Sequence, residues 1–367
     1  MALSSQGMLF RQLFDLRSST YTYLLADEAS REAVLVDSVY EQHVRDAALV
    51  RELGLRLLYT LETHVHADHV TGAWLARERL GSRIVLAEAA GAEGADVLVR
   101  DGDVLRFGGE ELVVLATPGH TNGCVSYVTG ERRMVFTGDA LLIRGAGRTD
   151  FQQGSAERLY ASVRERLFTL PEDCLVYPGH DYQGRTVSSV GEERAHNPRL
   201  GGERSVGDFV GYMENLNLPH PKLLDIAVPA NLHCGRPSAV PGETGNQPLQ
   251  ADWGPVVRSY AGVPELEPEW VAEHLGAVVL LDVREPAELT GELGHVPGLV
   301  AIPLGQLRAR LGELPKDKPI AAVCRSGGRS AQAALILESS GFGKVANVRG
   351  GMIRWRALGL AVAEERR

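Results

Sequence analysis

Three histidines and one aspartate lie within a six-residue stretch, and all four side chains are of types that bind metal ions. They are His64, His66, Asp68 and His69. An apolar run over 55–61 precedes them and the run 70–75 follows, which predicts a buried strand, a loop and an amphipathic helix. A lone histidine is more often a structural residue than a ligand, but four such side chains in one strand-to-helix loop indicate a metal site.

Three more side chains of this kind follow predicted strands further along the chain, each with a neighbouring glycine. They are His120, Asp139 and His180. Glycine lets the backbone turn sharply and come close to a bound ion. Taken singly, each could instead be a turn residue with satisfied hydrogen bonds.

A second reactive group is predicted in the C-terminal part, where Cys324 directly follows the apolar strand 320–323 and precedes a helix. The loop that links strand and helix contains Arg325, Ser326, Gly327, Gly328 and Arg329. Such a loop can turn backbone N–H groups and a helix N-terminus towards one atom, and the arginines add positive charge. A thiolate or persulfide at Cys324 would be stabilised there. The alternative is a buried cysteine that merely ends a strand.

Composition narrows the class of protein. The chain of 367 residues predicts two or three domains, and its net charge of −9 argues against nucleic-acid binding. No apolar run approaches the roughly 18 residues that span a bilayer, and Arg11 and Asp15 interrupt the stretch in which a signal peptide would be apolar. The four cysteines form no C-x-x-C pair, which predicts free thiols and a cytoplasmic protein.

The predicted elements suggest two different α/β domains. Strands interleaved with helices over 1–240 predict packed mixed sheets with helices outside, including one helix over 69–80. A Pro-, Gly-, Ser- and Asn-rich stretch without periodicity predicts a linker over 241–262. Buried strands alternating with helices over 263–367 predict a smaller, doubly wound α/β domain.

The N-terminal motifs resemble those of the metallo-β-lactamase superfamily, because all seven metal-competent residues occur in the same order and contexts. The fold implied is an αββα sandwich with the metal at one edge. Within the superfamily, the stretches 121–127, 138–154 and 228–235 resemble the persulfide dioxygenases, and the resemblance extends from about residue 10 to 236.

That resemblance implies one mononuclear Fe(II) site bound by His64, His120 and Asp139. Two imidazoles and a carboxylate leave positions for substrate and O2, and zinc lacks the redox change that the reaction needs. The implied reaction converts glutathione persulfide, O2 and water to sulfite and glutathione, so glutathione enters as part of the substrate. Four groups are implied to orient the ligands: His66, Asp68, His69 and His180.

Three other residues near the predicted metal site could bind substrate or have a structural role. Arg148 and Tyr182 lie on segments next to the ligands and are candidates for binding glutathione or oxidised sulfur, although Arg148 could equally be a solvated loop charge. Cys124 has no base nearby in the sequence, which favours a buried apolar role over that of a nucleophile.

The loop at Cys324 is similar to that of the single-domain rhodaneses, which are sulfurtransferases. The motifs at 281–288, 294–298 and 350–355 agree with this family. The resemblance implies that Cys324 cycles through a persulfide with sulfite and thiosulfate as further substrates. Cysteine-dependent phosphatases have arginine six positions after the cysteine, where this chain has Ser330, so a phosphatase is disfavoured.

Three supporting roles follow from this second resemblance. Arg325 and Arg329 are implied as further catalytic residues, and Ser326, Gly327 and Gly328 form the persulfide loop. Asp282 and Arg284 are expected to stabilise the fold as an ion pair.

Together the two resemblances predict a bifunctional persulfide dioxygenase and thiosulfate sulfurtransferase that acts on small molecules. One alternative is a dizinc thioesterase of acyl-glutathione similar to glyoxalase II, although that branch typically has histidine where Cys124 stands and a helical C-terminal domain. Another is a non-catalytic sulfane-sulfur carrier or sensor. A homodimer is implied only by the family resemblance.

Overall fold

The computed structural model describes residues 7–216, 218–237 and 253–363. The chain folds into two compact units, one formed by residues 1–43 with 53–243 and the other by residues 44–52 with 244–367. Within the described residues, no helix combines the length and the apolar composition needed to cross a membrane.

Two six-stranded sheets form the first unit. The strands of the first sheet, in spatial order, are β1 (Met8–Asp15), β2 (Thr20–Asp27), β3 (Glu32–Val36), β4 (Arg56–Leu61), β5 (Arg83–Ala87) and β6 (Val97–Val99). Those of the second are β7 (Val104–Phe107), β8 (Glu110–Ala116), β9 (Val125–Thr129), β10 (Met134–Gly138), β11 (Leu175–Pro178) and β12 (Ser188–Ser189). The first sheet is antiparallel over β1–β3 and parallel over β3–β6.

The core of this unit lies between the sheets. Alternate residues of both sheets, such as Leu25 and Leu61 from the first and Phe107 and Phe136 from the second, are buried in one apolar cluster. This alternation is the pattern expected where each sheet turns one face inward.

Helices cover the outer faces of the two sheets. The helices of this unit in the described residues are α2 (Ala73–Leu80), α3 (Ala156–Glu165), α4 (Val190–His196), α5 (Val206–Glu214) and α6 (Leu224–Asn231), whereas α1 (His43–Glu52) belongs to the second unit from residue 44 onwards. Leu159 of α3 and Phe209 of α5 pack with Val135 of the second sheet, and Ala73 of α2 packs with Ile84 of the first. The layers are therefore helix, sheet, sheet and helix, which confirms the predicted αββα sandwich.

The helix predicted over 69–80 begins later, at Ala73. Thr71 pairs with Val39 in an isolated β-bridge, which keeps the backbone extended at this point. The helix thus starts four residues later than predicted, and the hydroxyl of Thr71 accepts the N–H of its first residue, Ala73.

One mixed sheet organises the second unit. In spatial order it contains β13 (Val257–Arg258), β14 (Pro264–Leu266), β18 (Val345–Val348), β17 (Ile320–Val323), β15 (Val279–Asp282) and β16 (Val300–Ala301). All neighbours are parallel except the edge pair β13–β14. Residues 241–252 of the predicted linker lie outside the described residues, whereas 257–258 form this edge strand.

Helices lie on both faces of that sheet, as a doubly wound domain requires. They are α7 (Pro268–Glu273), α8 (Pro286–Leu289), α9 (Leu304–Leu307), α10 (Gly328–Ser339) and α11 (Gly351–Ala357). Leu337 of α10 packs on one face with Ile320, and Trp355 of α11 packs on the other with Val323. The predicted α/β class of the C-terminal domain is confirmed.

A buried ion pair joins β15 to the loop that follows it. Arg284 bonds both carboxylate oxygens of Asp282 at 2.6–3.0 Å and also donates to the carbonyl of Gly294. Both side chains of the pair are at most 1% exposed. The expected ion pair is thus present, and its hydrogen bonds offset the cost of burying two charges.

Asp282→Ala is expected to lower the free energy of unfolding of the second unit by about 3–5 kcal/mol, because it leaves the Arg284 charge buried and uncompensated. Denaturant titration followed by tryptophan fluorescence measures this, since three of the four tryptophans, at 253, 270 and 355, lie in this unit. The control is Glu313→Ala, which removes an exposed pair with Arg310. Equal effects of the two substitutions would contradict the prediction.

Candidate metal centre and cysteine loop

The metal-competent side chains of the first unit meet at one edge of the sandwich. His64 lies three residues after β4, Asp139 directly follows β10, and His180 lies two residues after β11. His120 lies on the connection between β8 and β9. All four side chains are buried.

Two glycines allow the loops to pack closely enough for this convergence. Gly119, next to His120, has a φ of +140°, and a Cβ there would lie 2.3 Å from the backbone nitrogen of Leu159. Gly138, next to Asp139, has a φ of +50°, and a Cβ there would lie 2.4 Å from the Thr63 hydroxyl. A side chain at position 119 would collide with helix α3, and one at position 138 would collide with Thr63 beside His64, so either would displace a ligand loop.

His64, His120 and Asp139 form a compact donor set. One ligand atom of each lies within 4.8 Å of the others, and Nε2 of His120 is 3.7 Å from Oδ2 of Asp139. Burial lowers the pKa of both histidines, that of His64 strongly. Burial opposes ionisation of Asp139, but the neighbouring His180 charge holds the pKa of this carboxyl well below its ordinary value. The set therefore comprises two neutral imidazoles and one carboxylate.

The tautomer of His120 follows from its hydrogen bond. Its Nδ1 is 2.6 Å from the carbonyl oxygen of Arg148. A carbonyl oxygen accepts and cannot donate, so Nδ1 carries the proton and Nε2 has a free lone pair directed at the donor set.

The tautomer of His64 is set by a relay of two residues. The hydroxyl of Thr63 donates to Oδ2 of Asp37 at 2.8 Å. Its oxygen must then accept from Nδ1 of His64, which is 3.0 Å away. Nε2 of His64 is left unprotonated, so both imidazoles present lone pairs and the donor set fits a divalent metal ion.

A second group of polar side chains lies beside this donor set. Oδ2 of Asp68 is 2.9 Å from Nε2 of His180 and 3.0 Å from Nδ1 of His69. Nδ1 of His180 is 2.7 Å from Oδ1 of Asp139. Burial opposes protonation of His180, but the carboxylates on its two sides raise its pKa well above the ordinary value. His180 thus connects Asp68 to Asp139 and orients that carboxylate.

His66 belongs to a third, fully buried group that was not predicted from the sequence. Its Nε2 is 3.2 Å from Oδ1 of Asp37 and 3.5 Å from Oε2 of Glu62. Burial alone would lower the pKa of His66, but the two carboxylates raise it to about 10. The one sequence signal for this group was the position of Asp37 directly after β3, which matches the position of Asp139 directly after β10.

A cavity of about 970 Å³ opens onto the donor set. Both predicted substrate-binding residues line it. Tyr182 is 71% exposed and stacks on the ring of His180 at 6.1 Å. The guanidinium of Arg148 already has hydrogen-bond partners within the protein. It pairs with both carboxylate oxygens of Asp150 and donates to the carbonyls of Leu218 and Pro219. Arg148 therefore holds the wall of the cavity together.

In the second unit, Cys324 directly follows β17 and faces the start of α10. Its Sγ accepts the N–H of Gly327 at 3.2 Å and is 3.3 Å from the hydroxyl of Ser330. Burial would raise the pKa of the thiol, but hydrogen bonds from the backbone N–H groups of Ser330, Ser326 and Gly327 lower it below the ordinary value. The loop is thus built to stabilise negative charge on sulfur, and Ser330 is a site residue that the sequence motif did not assign.

The two arginines of this loop differ in their surroundings. Arg329 makes a two-pronged ion pair with Glu288, at 2.6 and 2.7 Å. Arg325 is exposed, as are Ser326 and Gly328. The positive charge expected from Arg329 is therefore largely balanced by a carboxylate that the sequence motif did not assign to the site.

Comparison with known proteins gives these sites a family context. The metallo-beta-lactamase superfamily model matches residues 16–180, and the rhodanese-like domain model matches residues 267–358. Human mitochondrial persulfide dioxygenase ETHE1 is 57% identical over 233 residues, which are 63% of this chain and 91% of that protein. The chain belongs to the persulfide dioxygenase family.

Solved structures agree with this assignment. The crystal structure of ETHE1 from Myxococcus xanthus is 57% identical, with a TM-score of 0.61, and the match covers 62% of this chain and all of that chain. A metallo-beta-lactamase from Staphylococcus aureus is 20% identical with a TM-score of 0.59 over 94% of this chain and 99% of that chain, which shows a shared fold alone. The chain thus adds a rhodanese-like domain to a persulfide dioxygenase family domain.

In this persulfide dioxygenase family member, Gly147→Ala is expected to weaken the binding of a divalent metal ion about 10–100-fold, the range seen when groups that orient a ligand are disturbed. The added Cβ would lie 2.4 Å from the carbonyl of Asp139 and 2.8 Å from Nδ1 of His120. The measurement is anaerobic Fe(II) titration of the folded variant. The control is Gly145→Ala, whose Cβ would meet only Leu142 at 3.6 Å. Unchanged Fe(II) affinity in Gly147→Ala would contradict the prediction.

Proposed function

We propose that the first unit is a mononuclear Fe(II) persulfide dioxygenase that oxidises glutathione persulfide with O2 and water to sulfite and glutathione. The observation that carries this proposal is the buried donor set of His64, His120 and Asp139 in a member of this family. Two imidazoles and one carboxylate form the facial set of non-haem Fe(II) oxygenases. Iron bound there would supply the redox chemistry that activates O2, which zinc cannot supply.

The protein residues would have distinct tasks in this reaction. His64 and His120 would present Nε2 lone pairs, with their rings held by Thr63 and by the Arg148 carbonyl. His180 would keep the Asp139 carboxylate oriented through its 2.7 Å hydrogen bond. Such fixed orientation means that little reorganisation accompanies the reaction.

The substrate proposal rests on the size and lining of the cavity. About 970 Å³ is ample for a tripeptide persulfide. Tyr182 is exposed beside His180 and can contact the substrate directly. Arg148 would act on glutathione mainly by shaping the wall, because its guanidinium already bonds Asp150 and two carbonyls.

For the second unit, we propose sulfur transfer through a persulfide of Cys324. The thiolate attacks the sulfane sulfur of glutathione persulfide, the substrate S–S bond breaks, and glutathione thiolate leaves. Sulfite then attacks the outer sulfur of the Cys324 persulfide, which forms thiosulfate and restores the thiolate. The steps can also run in reverse, from thiosulfate towards glutathione persulfide. The backbone of Ser326, Gly327 and Gly328 would stabilise the anionic sulfur. Arg325 would favour anionic substrates, and Arg329 would contribute less, because Glu288 largely balances its charge.

The two reactions share substrates, which supports a functional link between the units. Sulfite is a product of the proposed oxidation and an acceptor in the proposed transfer. All four cysteines are free thiols, which suits a reducing cytoplasm. The homodimer implied by the family resemblance stays a prediction that the molecular mass in solution tests.

A dizinc thioesterase of acyl-glutathione is the second candidate. The observation that favours it is the group of His66, Asp68, His69 and His180, whose ligand atoms also lie within 4.8 Å of one another. These side chains could bind a second ion if the hydrogen bonds between them were replaced by metal ligation.

Oxygen consumption after addition of glutathione persulfide distinguishes these candidates. Protein reconstituted anaerobically with Fe(II) is compared with protein loaded with zinc. We expect rapid oxygen uptake with sulfite formation in the iron sample alone. No uptake in either sample, together with hydrolysis of lactoyl-glutathione by the zinc form and two zinc ions per chain, would favour the thioesterase.

A further inference from the structure

A row of hydrogen bonds leads from the edge of the second unit's sheet to the sulfur of Cys324. It runs through Glu265, Asn347 and Ser330. We propose that Asn347 is a positioning residue for Cys324: by holding the hydroxyl proton of Ser330, it withholds a hydrogen bond from the sulfur and tunes how readily the thiol ionises. The inference rests on the proposed sulfur-transfer role of Cys324.

The orientation of the Asn347 amide is set by Glu265. Asn347 lies on β18, between Glu265 of β14 and Ala322 of β17 in the parallel register. Its Nδ2 donates to Oε1 of Glu265 at 3.0 Å. Oδ1 therefore points to the other side, where the hydroxyl oxygen of Ser330 lies 2.6 Å away. Both Asn347 and Ser330 are buried, so water does not compete for these bonds.

Ser330 has one hydroxyl proton and three acceptors. These are Oδ1 of Asn347 at 2.6 Å, the carbonyl of Gly327 at 3.2 Å, and Sγ of Cys324 at 3.3 Å. An amide oxygen has no proton of its own, so two oxygens 2.6 Å apart require that of Ser330. The Ser330 oxygen then turns a lone pair towards sulfur. This arrangement stabilises the neutral Cys324 thiol. The thiolate receives a hydrogen bond from the Ser330 hydroxyl only if the hydrogen bond from Ser330 to Asn347 breaks.

Several other charged groups lie near Cys324, and among the described residues only Glu265 of these is hydrogen-bonded to Asn347. They are Arg325 beside it in the chain, Arg329 paired with Glu288, Asp282 paired with Arg284 on β15, Arg354 of α11 paired with Glu267, and Glu265 near Arg349. The backbone donor Gly327 also remains. A change at Asn347 therefore reports on the Ser330 proton.

The test is the pH dependence of Cys324 alkylation by iodoacetamide in the full-length protein, followed by mass spectrometry of the Cys324 peptide. All four thiols are buried, but burial raises the pKa values of Cys124, Cys174 and Cys234 to about 12, 11 and 12, whereas hydrogen bonds lower the pKa of Cys324. We expect Asn347→Ala to move the ionisation midpoint of Cys324 down by about half to one pH unit, the equivalent of one hydrogen bond.

Three further variants identify the path. Ser330→Ala should move the midpoint upward, and the double variant Asn347→Ala/Ser330→Ala should match Ser330→Ala alone. Glu265→Ala should move it downward, because the freed amide can turn its Nδ2 towards Ser330. Glu265→Gln should match the unmodified protein, because its side-chain oxygen still accepts from Asn347.

An unchanged or raised midpoint in Asn347→Ala would overturn the inference, as would a double variant with the same downward shift as Asn347→Ala. If Asn347→Ala does not fold, the comparison of Glu265→Ala with Glu265→Gln tests the inference instead. Equal ionisation midpoints of Cys324 in these two variants would overturn the inference. Failure of the proposed sulfur-transfer function would give a different result from failure of this inference. In that case alkylation follows the expected order of variants, but the unmodified protein transfers no sulfur from thiosulfate.

Discussion

His64→Ala is expected to lose oxygen uptake with glutathione persulfide and to keep sulfur transfer from thiosulfate. The substitution removes one of only two imidazoles from the donor set with Asp139, whose ligand atoms lie within 4.8 Å of one another. Groups that merely orient a ligand contribute about 10–100-fold to metal affinity, so loss of a ligand should weaken Fe(II) binding by more than about 100-fold. Iron content and oxygen uptake should therefore fall together to background.

A control variant for His64→Ala should remove a histidine that is not part of the donor set. His196→Ala changes an exposed histidine at the end of α4, and it should leave the iron content and both activities unchanged. Circular dichroism should show that both variants are folded. Full oxygen uptake in His64→Ala would show that the reaction does not depend on this donor set. Loss of both activities in a folded protein would argue against two separable sites.

Cys324→Ser is expected to give the opposite result. Sulfur transfer from thiosulfate should fall to the protein-free background, because a serine oxygen cannot form and pass on a persulfide. Oxygen uptake should be unchanged, because Cys324 is in the unit formed by residues 44–52 and 244–367, whereas the metal-competent cluster is in the other. The two activities are measured separately, by thiocyanate formation from thiosulfate and cyanide and by an oxygen electrode.

Cys174→Ser is the matched control for Cys324→Ser. Cys174 is also a buried free thiol, but burial raises its pKa to about 11, so it is a poor nucleophile. This variant should keep both activities. Sulfur transfer that survives in Cys324→Ser would exclude the proposed persulfide. Loss of oxygen uptake in the same variant would instead mean that the oxidation depends on the cysteine loop.

Local patterns in the sequence were sufficient to predict the element types and most of the site. His64, Asp139 and His180 each follow an apolar strand, and a strand end is a position where alternation stops and a polar side chain can be presented. Cys324 follows such a strand too, and the glycines after it predict a tight loop before a helix. These signals are local because strand and helix periodicity are properties of neighbouring residues.

The buried carboxylates around His66 could be identified only from the tertiary structure. Asp37 and Glu62 are far apart in the chain, but β3 and β4 pair in parallel with Val36 beside Leu61. The residues after the two strands therefore become neighbours and enclose His66. Strand pairing and register depend on how distant segments pack, and no local pattern in either strand specifies its partner.

Only the tertiary structure decided which hydrogen bonds the reactive side chains make. The proton position on His120 depends on the carbonyl of Arg148, and the charge of Arg329 is balanced by Glu288. The sequence by itself determined the chemical types of these residues, because the identity of a histidine or an arginine does not depend on folding. Protonation and charge balance depend on atoms a few ångströms away, and folding brings those atoms from segments that are distant in the chain.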